Sequence, residues 1–219
     1  MTVFEQLSNN KGTVSSALGK ALAQIVLEEN QINILSECID LVAYEASTPV
    51  SKHIRAGAAK VVEIVAERKP ELVAPHLQRL FPALSVKEPQ TRWMIIRVMG
   101  FCAHLNHDVA RQATVHAEKY IDAKEGLCIA SSADLFLGDL GVLSKKDALE
   151  VSPLLERSME TVITNEQDWL LVAFSKMFTS LESAQQDRVL KFAERWRCSS
   201  RKSTQRRAEK IPKPRQRKV

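Results

Sequence analysis

Val73-Ala74-Pro75-His76-Leu77-Gln78-Arg79 returns later in the chain as Val151-Ser152-Pro153-Leu154-Leu155-Glu156-Arg157, 78 residues on. Proline suits the first turn of a helix, where its missing N–H leaves no bond unmade. Each stretch therefore reads as the start of a helix whose leucine, Leu77 or Leu155, turns toward a core. An offset of 78 residues is two units of 39, a length that holds one pair of helices.

Working outward from this pair, the same unit is legible along most of the chain. After Pro49, Ile54, Ala58, Val61, Val62 and Val65 fall on one helical face, with Ser51 placed to cap it and Lys69-Pro70 to end it. Breaks recur at Thr48-Pro49, Lys69-Pro70, Glu88-Pro89, Asn106-His107, Lys124-Glu125 and Asn165-Glu166. The spacing predicts helices over 13–28, 31–45, 51–68, 74–84, 89–105, 107–122, 125–143, 152–163, 165–181 and 183–197. Taken in pairs, the first helices start near 13, 51, 89, 125 and 165, in steps of 38, 38, 36 and 40 residues. That period is a solenoid signature. The expected fold class is all-α: a right-handed α-α superhelix of about five stacked helix pairs in a domain over 1–198, followed by a basic tail over 199–219 that is disordered, at least beyond an extension of the last helix to about residue 208.

No pair could bury its apolar stripe alone, so stacking must complete the core. Trp93, Ile96, Met99 and Phe101 are expected to fill the third unit; Leu127, Ala130, Phe136, Leu137 and Leu140 the fourth; Trp169, Ala173, Phe174, Met177 and Leu181 the fifth. Val3, Phe4 and Leu7 suit a short helix over the N-terminal end, and Trp196 a cover for the last pair.

With the period, the Pro-started second helices and Ile54-Arg55-Ala56-Gly57-Ala58-Ala59 in a first helix, the chain resembles the HEAT-repeat group of α-solenoids over about residues 13–197. Armadillo-like or plain α-α packing are variants of the same architecture. The resemblance implies a fold and, through the extended surface of such arrays, a binding role.

Composition supports helices: 45% of residues are hydrophobic and only seven are glycine, too few for the turn-rich pattern of an all-β fold. Met1 to Asn10 lacks the apolar run of a secretory signal, and no stretch is long and apolar enough to span a membrane. Cys38, Cys102, Cys128 and Cys198 form no C-x-x-C pair, and the first three sit in apolar helical patterns that predict small core residues. A reduced, intracellular setting, cytoplasmic or nuclear, is the expectation.

The net charge of +5 divides unevenly. From Arg195 to Val219 there are eleven Lys or Arg and one acid, whereas 1–194 holds 20 basic and 25 acidic residues. An acidic body thus precedes a basic tail, with Arg201, Lys202, Arg206, Arg207, Lys210, Lys213, Arg215, Arg217 and Lys218 as candidate contacts to an acidic partner or to nucleic acid. On the second helices, Arg79, Arg111, Lys119, Arg157, Arg188 and Lys191 are candidate contacts on a concave face.

Catalytic patterns are weak by comparison. Ser131-Ser132 lacks a nucleophile elbow, Gly138 and Gly141 lie in a helical pattern rather than a phosphate loop, and Asp134 and Asp139 form no evident dyad. Cys102, His104, His107 and His116 cluster near one turn but match no familiar zinc spacing. No cofactor or metal is expected. Some HEAT-like proteins are glycosylases acting on alkylated DNA, using aromatic residues and a carboxylate. Trp93 and Trp169 are the aromatic candidates here, but neither has an Asp at helical spacing after it, and both begin apolar runs. The leading expectation is a non-enzymatic scaffold that binds a protein partner, with nucleic-acid binding, including such a glycosylase, as the alternative.

Overall fold

The structure is a computed structural model and describes residues 1–10, 16–45, 51–123, 125–163 and 165–212. Every regular element among the described residues is helical. The chain divides into two compact units, Met1–His116 and Ala117–Val219.

In the first unit, α1 (Val3–Asn9) opens with a capping box: Glu5 N–H donates to the Thr2 hydroxyl at 3.1 Å, and Thr2 N–H donates to the Glu5 carboxylate at 2.8 Å. Val3 and Leu7 are buried, and Phe4 stands edge-on to Tyr44 with ring centroids 5.3 Å apart. Next come α2 (Ser16–Glu29), α3 (Ile32–Leu41) and α4 (Ser51–Arg68). Asn30 makes the tight connection from α2 to α3 at φ 56°, a left-handed conformation that asparagine tolerates better than most residues. Ile54, Ala58, Val61, Val62 and Val65 of α4 are all buried, as their spacing requires.

The segment expected as a helix over 74–84 is broken. Two 3-10 turns, Pro70–Leu72 and Ala74–His76, lead into one turn of α-helix, α5 (Leu77–Leu80), and a further 3-10 stretch, Phe81–Ser85. Pro70, Pro75 and Pro82 each withhold a backbone donor, so a continuous i to i−4 ladder cannot form. The unit continues with α6 (Pro89–Cys102) and α7 (His107–Gln112), and α8 (Thr114–Ala123) begins at its end. Within it α2 packs on α4 and α4 on α6.

The second unit contains α9 (Leu127–Gly141), α10 (Lys145–Glu160), α11 (Gln167–Met177), α12 (Ser183–Glu194) and α13 (Lys202–Lys210). Here α9 packs on α11, and α11 on α13. The helix expected over 152–163 starts earlier, at Lys145, because Ser144 caps it by accepting from Asp147 N–H at 3.0 Å. Pro153 therefore lies inside α10, not at its first position. The Leu149 carbonyl that Pro153 cannot serve accepts instead from the Ser152 hydroxyl at 3.4 Å. Stretches that match in sequence thus take different local forms: interrupted turns at 74–80, a continuous helix at 152–158.

The expected core is largely in place. Ile96, Met99, Ala130, Phe136, Leu137, Leu140, Ala173, Phe174, Met177 and Leu181 are buried, each large one contributing about 1.5–3 kcal/mol by leaving water. Trp93, Phe101, Leu127 and Trp169 are only half-buried, and the Arg97 guanidinium lies 4.5 Å over the Phe101 ring. Trp196 is half-buried and meets Phe192 edge-on at 6.4 Å. Cys38 and Cys102 are buried, but Cys128, expected in the core, is exposed near the start of α9. Gly138 permits a close helix contact: a Cβ there would stand 2.6 Å from the Ala173 Cα.

Candidate functional site

The basic tail, expected to be disordered or to extend the last helix to about residue 208, carries a separate helix over Lys202–Lys210, and this α13 seats on α11. Thr204 and Ala208, four residues apart, face inward and are buried, as is Ile211 beyond the helix. Three small or apolar contacts would hold a nine-residue helix weakly by themselves. The polar contact beneath adds to them. Asp168 of α11, 5% exposed at its side chain, meets Arg207 at 2.7 Å and Arg201 at 3.5 Å, and the Thr204 hydroxyl donates to its other oxygen. The Arg207 guanidinium also lies 5.1 Å over the Trp169 ring. At the far end, Arg197 donates to the carbonyls of Ile211 at 2.9 Å and Pro212 at 3.4 Å.

This seating sorts the candidate cations of the tail. Arg207, and to a lesser degree Arg201, face the Asp168 carboxylate. Lys202, Arg206 and Lys210 remain exposed on the opposite side, and none of the three pairs with an acid among the described residues. Lys213, Arg215, Arg217 and Lys218 lie outside the described residues.

Three of the six second-helix candidates are held by acids. Arg79 is paired with Asp40. Arg157 meets Glu118 at 3.0 Å and Asp122 at 3.3 Å, and Arg188 meets Glu156 at 2.8 Å. Arg111 is half-buried in α7, whereas Lys119 and Lys191 are exposed. Sequence reading named these residues but could not see the acids that face three of them. The signal was present in the period: Asp40 and Arg79, Glu118 and Arg157, and Asp168 and Arg207 are each 39 residues apart.

Neither tryptophan stands free. Trp169 is covered by Arg207, and Trp93 is half-buried in α6. The Cys102 thiol donates to the Pro70 carbonyl at 3.6 Å, and His116 packs edge-on to Phe81 at 6.2 Å. Among the described residues no three His, Cys, Asp or Glu side chains converge as metal ligands.

Sequence reading named Asp134 only as forming no dyad with Asp139 and did not foresee its burial. Asp134 of α9 is fully buried, and neither carboxylate oxygen has a partner at hydrogen-bonding geometry. Burial first, and the Glu166 carboxylate second, push its pKa well above the usual range, against a smaller pull downward from the Ser158 hydroxyl. Its pattern in sequence is that of any polar residue on an amphipathic helix, so nothing marked it. No described helix is long and apolar enough to cross a membrane. Compared with protein-family models, with curated proteins and with solved structures, the chain matches none of them.

Proposed function

We propose that this chain is a non-enzymatic binding scaffold of the HEAT-like solenoid kind, a right-handed α-α superhelix that takes a protein partner on its surface. Two features support the architecture: α2, α4 and α6 pack in succession, as do α9, α11 and α13, and acid–arginine pairs recur at a separation of 39 residues. The observation that carries the function is the character of the exposed surface. Arg79, Arg157 and Arg188 are held by acids of neighbouring helices, so much of the second-helix charge is internally compensated. Large apolar side chains are exposed as well, Val115 of α8, Phe4 and Ile32 among them, and three others sit at turns. Leu105, after α6, is 48% exposed; Val142 and Leu143, after α9, are 44% and 36% exposed. Leu105 and Leu143 are 38 residues apart, about one unit of the proposed repeat. Apolar points amid compensated charge suit a protein surface better than a polyanion.

The test is differential affinity capture with Leu105→Glu and with Val142→Glu/Leu143→Glu, all confirmed as folded by circular dichroism. A partner retained by the unaltered protein and lost with either variant supports the proposal. Identical profiles for the unaltered protein and both variants overturn the turn surface as the docking site.

A further inference from the structure

We infer that the outward face of α13 is a binding site for the phosphate backbone of a nucleic acid. This surface is separate from the turn leucines, and its test is independent of them.

The inference begins with how α13 is held. Thr204, Arg207, Ala208 and Ile211 fix one side of the segment against α11 and the Arg197 latch. Its opposite side is thereby fixed as well. On it Lys202, Arg206 and Lys210 follow one another at i, i+4 and i+8, which on an α-helix makes a row with about 6 Å of axial rise between cations. The row is carried on a seated helix, unlike the same charges on a random tail. The one acid of the helix, Glu209, accepts from Gln205 at 3.2 Å.

The chemistry of this face selects the partner. Lys202, Ser203, Gln205, Arg206, Glu209 and Lys210 offer no apolar side chain to bury, whereas a specific protein interface has an apolar or aromatic centre. What the face offers is an array of fixed positive charge with hydroxyl and amide donors between, the equipment of backbone recognition. Arg207 explains why this site is distinct from the rest of the basic segment: its charge is answered by Asp168, and the row's is not.

The experiment is fluorescence anisotropy of the full chain with labelled duplex DNA and single-stranded RNA, at several salt concentrations, beside Lys202→Gln/Arg206→Gln/Lys210→Gln. Glutamine keeps helix propensity at these exposed sites, and circular dichroism with a thermal melt confirms that α13 stays seated. Three lost phosphate contacts should weaken binding roughly tenfold or more at low salt and flatten the slope of log K against log salt by about 2–3. The DNA and RNA arms show which nucleic acid the phosphate site prefers. Three results would each overturn the inference: no binding of either nucleic acid at low salt, an unchanged affinity and salt slope in the triple variant, or equally tight binding to a polyglutamate peptide of matched charge.

Discussion

Asp168 and Arg207, 39 residues apart, meet at 2.7 Å between α11 and α13. Asp40 and Arg79 in the first unit, and Glu118 and Arg157 in the second, are joined across the same separation. The basic segment is thus tied to α11 across the same separation as these two pairs. Arg207→Ala leaves Asp168 buried with only Thr204 and the more distant Arg201, and should destabilise the protein by about 1–3 kcal/mol. Urea unfolding measures this, and limited proteolysis should show earlier cleavage after Lys202, Arg206 or Lys210 as α13 leaves α11.

Burial holds a proton on Asp134 in the folded state at pH values where an unfolded aspartate has lost it. Its pKa is raised on folding, so its contribution is fully present below the unfolded pKa and is lost as pH rises toward the folded one. Asp134→Asn removes the ionisation. The variant should unfold at higher urea than the unaltered protein at about pH 8, with the difference shrinking toward about pH 4. A difference that grows toward acid would contradict the burial argument.

Arg55 and Glu88 offer the opposite sign. Arg55 Nε donates to the Glu88 carboxylate at 3.1 Å, and a second guanidinium N–H donates to the Tyr44 carbonyl at 2.6 Å. Burial pushes Glu88 up, but the Arg55 hydrogen bond and the charges of Arg55 and Lys52 outweigh it and leave its pKa below the usual value. This stabilisation is present above the unfolded pKa of a glutamate and is lost as pH falls through the folded one. Arg55→Ala should cost about 1.5–3 kcal/mol. The more exposed Arg79, paired with Asp40, should cost about 1 kcal/mol or less when changed to Ala. Paired urea titrations check the ordering.

Gly138 sits where α9 crosses α11, and a Cβ would strike backbone: 2.6 Å from the Ala173 Cα and 3.1 Å from its carbonyl oxygen. The helices must part to admit it. Gly138→Ala gains about 1 kcal/mol of helix propensity but loses more to overpacking, about 1–3 kcal/mol. A lower melting temperature is the expected result.

Thiol titration distinguishes the four cysteines. Burial pushes Cys38 and Cys102 up to about 12, which withholds the reactive thiolate. Cys128 and Cys198 are exposed. An aromatic disulfide reagent should therefore modify two thiols in the folded protein and the other two only on unfolding.

The helical class and most core positions were legible in the sequence, because apolar spacing at 3.6 residues is a local property. Ile54 to Val65 shows this well: the face read from spacing is the face that is buried. Local reading failed where neighbours decide. Ser144 moved the start of α10 back over Pro153, and three prolines divided the segment over 70–85. Cys128 has the surroundings of a core residue in sequence, yet its place in the first turn of α9 faces solvent.

The basic segment draws the same line. By itself the sequence determined its charge, and that such a stretch holds too few apolar residues to fold alone. Only tertiary structure decided that Lys202–Lys210 is a seated helix and that Arg207 turns inward while Arg206 turns outward. The reason is that Asp168, buried in α11 and distant in sequence, supplies a partner for Arg207 that no reading of the segment alone contains.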